Sequence, residues 1–400
     1  MTDVSVHKDR WVRPMRPRDP AEDHRAATPL ELFFDLCFVV AVAQAADGLH
    51  HGLSGDHPRE ALVYLLVFAT IWWPWVNFSW FASAYDVDDV PYRLAVFVQI
   101  AGVLILAAGV PRAFEDRDFG ITTLGYVVMR AALIPQWLRA AACDPACRRT
   151  ARRYAAGVAA CQVGWVLLLA VPNSWYLWGW LVLGPAELLV PLWAERAGAT
   201  PWHPSHIGER YGLFTIIVLG ECVLAATIAV QSGLDAGDAV ERVARIAAGG
   251  LLAVFAMWWA YFDGPRDLVV TRARQAFSAA PGAFFWAFAW GYGHFVLFAA
   301  AAAAGAGIEV AVDHATGHSA LAAWEAGAAF TVPVAVYLLG VWALFAPFKR
   351  PGPMRTFGAP VAAVLILATT GLEEAPLATG AVCAAPLAAA VVNQACRPAT

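Results

Sequence analysis

Runs of about twenty apolar residues recur along this chain, each long enough to cross the hydrocarbon core of a bilayer as a helix. Inside that core no water meets the backbone N–H and C=O groups, so each run is expected to bond to itself as an α-helix. Twelve such spans are legible, at about 29–49, 60–83, 92–111, 119–139, 154–171, 174–194, 208–231, 241–262, 281–304, 321–346, 356–371 and 375–393. The expectation is an all-α, polytopic transmembrane helix bundle. Composition agrees: 60% of the 400 residues are hydrophobic and 14% charged, against roughly 25% charged in soluble domains. A net charge of -4 gives no reason to expect nucleic acid as a partner; the expected partner is the lipid bilayer.

Arginine and lysine set the orientation, because they concentrate in cytoplasmic segments. With the N-terminus inside, 21 of the 27 basic residues fall on the cytoplasmic side, 5 on the outer side, and Arg130 lies within a span. Both termini are therefore expected in the cytoplasm and the protein in a bacterial inner membrane. Residues 1–27 form a basic, proline-rich tail expected to be disordered. No apolar core followed by small residues marks a cleaved leader there. The seven cysteines suggest free thiols, and Cys143-x-x-x-Cys147, in a basic loop without a neighbouring histidine, makes a poor half of a metal site.

Weak internal symmetry divides the spans into two six-helix repeats, residues 28–200 and 201–400. Glu31-Leu-Phe-Phe answers Glu209-Arg-Tyr-Gly, and Trp72-Trp73-Pro74-Trp75 answers Met257-Trp258-Trp259. Parallel repeats of this kind occur in secondary transporters. The two opening blocks differ, because Asp35 aligns with Leu213 and Glu221 with Ala43.

Charged and titratable groups at membrane depth are costly and point to function. Thr28 and Glu31 read as a capping box with Pro29 at the first helical position. Asp35 stands one turn further in, on the same face as Glu31, beyond the cap and among Phe and Leu. Glu221 lies deep in the seventh span after Gly220, a glycine expected to admit a neighbouring backbone. Glu187 follows Gly184-Pro185, where the proline is expected to break or kink the sixth span. Arg130 is the counter-charge available to these acids. His294 lies mid-span within Gly291-Tyr292-Gly293-His294, as a proton relay or a packing residue. His50, His51, His57, His314 and His318 are assigned to outer loops, and no metal or cofactor motif is recognised. The tryptophans around Pro74 are read as core packing or cavity lining.

Three stretches carry a family resemblance. Thr28-Pro29-Leu30-Glu31-Leu32-Phe33-Phe34-Asp35 and its continuation, Glu209-Arg210-Tyr211-Gly212 through Gly220-Glu221, and Tyr292-Gly293-His294 with Gly307-Ile308-Glu309 resemble the signatures of the bacterial low-temperature-requirement A (LtrA) family. The likeness spans about residues 28 to 310. It implies a multi-pass membrane protein, and the cold-growth phenotype in the family's name points to envelope physiology.

The functional expectation is a proton-coupled secondary transporter of an unassigned small molecule or lipid. Asp35, Glu187, Glu221 and His294 would carry the proton or contact substrate, and Glu31, Glu209 and Arg210 would gate or brace the cytoplasmic end. The alternative is a membrane-embedded enzyme acting on a lipid or isoprenoid. A channel ranks last, since no filter or charged ring is visible.

Overall fold

A computed structural model describes residues 11–19, 22, 25–172, 175–235, 239–264, 283–346 and 352–395. Several basic residues of the orientation argument, Lys8, Arg10, Arg266, Arg272, Arg274, Lys349, Arg350 and Arg397, lie outside them.

The described residues form twelve α-helices and no strand: α1 Pro29–Ser54, α2 Glu60–Tyr85, α3 Val90–Glu115, α4 Gly120–Cys143, α5 Arg148–Leu168, α6 Tyr176–Glu195, α7 Pro204–Asp235, α8 Val240–Phe262, α9 Ala283–Thr316, α10 Ala323–Phe345, α11 Pro353–Ala368 and α12 Ala375–Ala395. Eight of them, α1, α2, α3 and α6 to α10, are long and apolar enough to cross a membrane. The arginine-bearing α4 and α5 fall below that measure, as do Thr356–Ala368 of α11 and Ala375–Ala385 of α12. Helix α6 runs without interruption through Pro185 and Pro191. The break expected there is absent, and the helical ladder continues on either side of each ring.

The core is apolar, but much of the outer surface is apolar too, and several charged groups are buried. Helix α1 buries Glu31 and Asp35 completely while exposing Leu32, Phe33, Leu36 and Val40. That pattern suits a helix with lipid on one face and polar partners on the other.

The chain divides into two compact units. Unit 1 holds Met1–Ala41 and Thr70–Arg210; unit 2 holds Val42–Ala69 and Tyr211–Thr400. In unit 1, α3, α4, α5 and α6 pack in series. Helices α3 and α4 approach until backbone meets backbone, and a Cβ on Gly125 would collide with the main chain at Gly102 and Leu106. Part of the N-terminal tail belongs to this interior: Met15 and Arg25 are buried, and Arg18 N–H donates to the Ala84 carbonyl at 3.0 Å. In unit 2, α9 packs on α10 and α8 on α12, the latter through the facing glycines Gly249 and Gly380.

Candidate functional site

The opening turns of α1 and α7 carry matched residues. Glu31 and Asp35 are four apart on α1, and His206 and Arg210 four apart on α7, so each pair lies on one helix face. In unit 1 the two faces meet. Arg210 Nη2 donates to Asp35 Oδ1 at 2.6 Å and to Ser79 Oγ at 3.1 Å. Arg210 Nη1 lies 3.4 Å from Glu31 Oε1, and His206 Nε2 lies 3.2 Å from the same carboxylate. All four side chains are 0% exposed.

The cap and the tail complete the cluster. Thr28 N–H donates to Glu31 Oε2 at 2.7 Å and Glu31 N–H to Thr28 Oγ1 at 3.3 Å, the reciprocal bonds of a capping box. Glu31 thus caps its helix and also faces two cations. Arg25 Nη2, from the tail, lies 3.6 Å from Glu31 and 3.5 Å from Asp86. Arg25 also donates to the Ser83 and Ala82 carbonyls. Glu209 sits at the edge, accepting from Ala27 N–H at 3.2 Å.

Three carboxylates (Glu31, Asp35, Asp86), two guanidiniums (Arg25, Arg210) and one imidazole (His206) share this buried volume. With His206 neutral, their formal sum is one negative charge; a single added proton makes the group neutral. Among the described residues, three buried atoms of the cluster able to take that proton have no hydrogen-bond partner, Glu31 Oε1, Asp35 Oδ2 and His206 Nδ1; Glu31 Oε1 faces both guanidiniums, which leaves Asp35 and His206 as the better sites.

A second ion pair lies in the same unit. Arg130 Nη2 is 3.2 Å from Glu187 Oε2 and donates to Tyr126 Oη at 2.6 Å. Glu187 also accepts the indole N–H groups of Trp73 at 2.7 Å and Trp165 at 3.3 Å. Trp75 donates its N–H to Asp35 Oδ1 at 2.7 Å. Trp73 and Trp75 thus flank Pro74 on α2, each serving a different buried acid. The sequence suggested core packing or cavity lining for them; the signal it offered was indole donors beside a proline in a chain with buried acids.

Unit 2 holds the remaining candidates. His294 is fully buried. Its Nδ1 lies 2.8 Å from the Trp290 carbonyl, which only accepts, so Nδ1 carries the hydrogen. Nε2 then accepts from Tyr261 Oη at 3.0 Å. Both nitrogens are satisfied with the ring neutral. Glu221 is half-buried on α7, within electrostatic reach of Glu309. Gly220 has open space where a Cβ would stand, so the close backbone approach expected there is absent.

Helices α1 and α9 extend further than the apolar runs suggest, so His50, His51 and His314 are helical residues and not loop residues. His50 lies between Glu309 at 3.0 Å and Asp313 at 2.7 Å, with Ser54 also donating to Asp313. Among the described residues, Asp47, His50 and His51 bring ligand-type atoms within 4.8 Å of one another. His50 is already committed to its carboxylates, and His51 pairs with Asp47 at 3.2 Å. Cys147 donates its thiol to the Ala199 carbonyl; burial pushes that thiol up to about 11, which disfavours the thiolate a metal would need.

Apolar helices that expose leucine and phenylalanine while burying ion pairs define a polytopic helical membrane protein. Residues 26–393 match the bacterial low temperature requirement A protein (LtrA) family, and the chain belongs to that family. It is also similar to an uncharacterized protein of Rhizobium meliloti (strain 1021), with 27% identity over 276 residues. That alignment takes in 66% of this chain and 64% of the relative, so the chain spans a little under two thirds of the relative's length.

Proposed function

We propose that the protein is a proton-coupled secondary transporter of a bacterial cytoplasmic membrane, and that the Glu31–Asp35–His206–Arg210 cluster binds and releases the coupling proton. One observation carries this reading: a buried set of titratable groups that reaches neutrality with one proton and has atoms without a hydrogen-bond partner on Asp35 and His206 to receive it. Protonation of Asp35 removes the charge that holds Arg210, and the guanidinium then leans on Glu31 and Ser79. Trp75 would report the change to α2, where Trp73 holds Glu187 less than a turn away. Glu187 and Arg130 are the polar pair a substrate would meet in the same unit, with Glu221 and His294 secondary. The reading of two six-helix repeats, 28–200 and 201–400, with all twelve helices crossing rests on the sequence correspondences alone; the two compact units divide the chain differently, inside α1, α2 and α7. The arginine distribution supports cytoplasmic termini.

The test uses the purified full-length chain in proteoliposomes loaded with a pH-sensitive dye. Pools of amino acids, sugars, polyamines and osmolytes are added outside. The expected result is proton movement that depends on one pool and is lost in Asp35→Asn. Substrate-dependent flux that survives Asp35→Asn would remove the cluster from the mechanism. Gradient-independent conversion of a lipid by detergent-purified protein would favour the enzyme alternative.

A further inference from the structure

Helix α5 of unit 1 opens with Arg148-Arg149-Thr150-Ala151-Arg152-Arg153. At 3.6 residues per turn the four arginines share one face, about 140° wide. Their position is electrostatically adverse. A helix start carries unpaired N–H groups and partial positive charge, and it favours acids. Here the side chain of the cap residue Cys147 makes no capping hydrogen bond to the first turn. No carboxylate pairs with any of the four among the described residues. Arg148 Nε donates to the Ala141 carbonyl at 3.1 Å. Arg153 donates to the Trp193 carbonyl at 3.0 Å and stacks over the Trp193 ring at 5.3 Å. Arg149 and Arg152 are exposed.

The arginines line an open cavity of about 560 Å³ between the start of α5 and the end of α6, closed by Pro145 and Trp193. Further along the same helices the outward residues are apolar: Val163, Val166 and Leu167 on α5, and Leu189 on α6. A cationic mouth thus sits above two lipid-facing walls. Four guanidinium forks with no carboxylate partner among the described residues, two of them exposed, suit a group with several anionic oxygens, because guanidinium binds phosphate in a bidentate way. The apolar walls below suit acyl chains, and basic pockets at membrane helix ends take acidic lipid headgroups.

We propose that this arginine pocket binds a phosphate ester, with the headgroup of an anionic phospholipid as its occupant. The site is separate from the proton cluster and does not depend on the transport reading. Purified full-length protein would be analysed by native mass spectrometry after exchange with phosphatidylglycerol or phosphatidylcholine, and titrated separately with glycerol 3-phosphate followed by phosphorus NMR. The wild type should retain phosphatidylglycerol at least about fivefold over phosphatidylcholine, in line with roughly 1 kcal/mol per basic contact. Arg149→Gln/Arg152→Gln should lose that preference, and Arg149→Lys/Arg152→Lys, which keeps charge and orientation, should keep part of it. Binding and competition by glycerol 3-phosphate would support the phosphate site and reassign its source to a soluble ester. Equal retention of the two lipids by the wild type, with glycerol 3-phosphate silent, would overturn the proposal and leave the arginines as orientation signals. So would a phosphatidylglycerol preference undiminished in the Gln variant.

Discussion

Replacing Arg210 with methionine keeps most of the side-chain volume and removes the cation nearest to two buried acids. Their losses differ. Glu31 keeps Arg25 at 3.6 Å, His206 at 3.2 Å and its own cap. Asp35 keeps only the Trp75 indole at 2.7 Å, and its other oxygen has no hydrogen-bond partner. Breaking a buried pair by removing one partner costs about 3–5 kcal/mol, because the survivor is left charged and desolvated. The expected loss for Arg210→Met is in that range and should fall mainly on Asp35. Adding Asp35→Asn removes the stranded charge, so the double variant should be more stable than the sum of the singles by at least about 1 kcal/mol. Unfolding with sodium dodecyl sulfate in bicelles, followed by far-UV circular dichroism, measures all three. Arg93→Met is the control, since Arg93 pairs with Asp88 at an exposed site and such pairs contribute little. Strict additivity in the double variant, or an Arg210→Met loss no larger than the control, would refute the argument.

Trp75→Phe removes the other donor to Asp35 among the described residues and should cost about 1.5–3 kcal/mol, the usual value for a hydrogen bond to a charged group; the same unfolding assay reads it. Asp86 lies just past α2, where burial, with the Glu31 charge nearby, pushes its carboxyl up to about 6 against the pull of Arg25. The folded protein then holds that proton more tightly than the unfolded chain, so this group's contribution is best at low pH and is lost as pH rises through about 6. Stability measured from pH 4.5 to 7.5 should therefore fall less with rising pH in Asp86→Asn than in the wild type, with the difference accruing below about pH 6. Gly125→Ala should cost about 1–3 kcal/mol by forcing α3 from α4, whereas Gly220→Ala, which meets open space, should stay within about 0.5 kcal/mol; equal effects would contradict the packing described. Nitrogen NMR of His294 should show the hydrogen on Nδ1, as the Trp290 carbonyl requires, and a hydrogen on Nε2 alone would refute that assignment.

The apolar periodicity was enough to make this chain an all-helical membrane protein, because a bilayer admits few other solutions for runs of that length and the polar punctuation between them. The capping box at Thr28 and Glu31 was equally legible, being an interaction across three residues. Asp35, Glu187 and Arg130 stood out for the same kind of reason: charge inside an apolar run is visible without knowing any neighbour. Partnership was not visible. Glu31 and Asp35 meet His206 and Arg210 across some 175 positions, and Trp73 and Trp75 turn from packing residues into donors for two separate acids. The matching four-residue spacing on α1 and α7 was in the sequence, yet nothing local says which of many helices it should face. The tail shows the same limit. Its composition suggests disorder, but Arg25 finds carbonyls, Glu31 and Asp86 in one buried place, and those contacts offset its loss of freedom. Local chemistry and solvent preference are written residue by residue, so the sequence by itself determined the helices, their lipid exposure and the residues under stress. Which charge answers which is a property of three-dimensional proximity, and only the tertiary structure decided it.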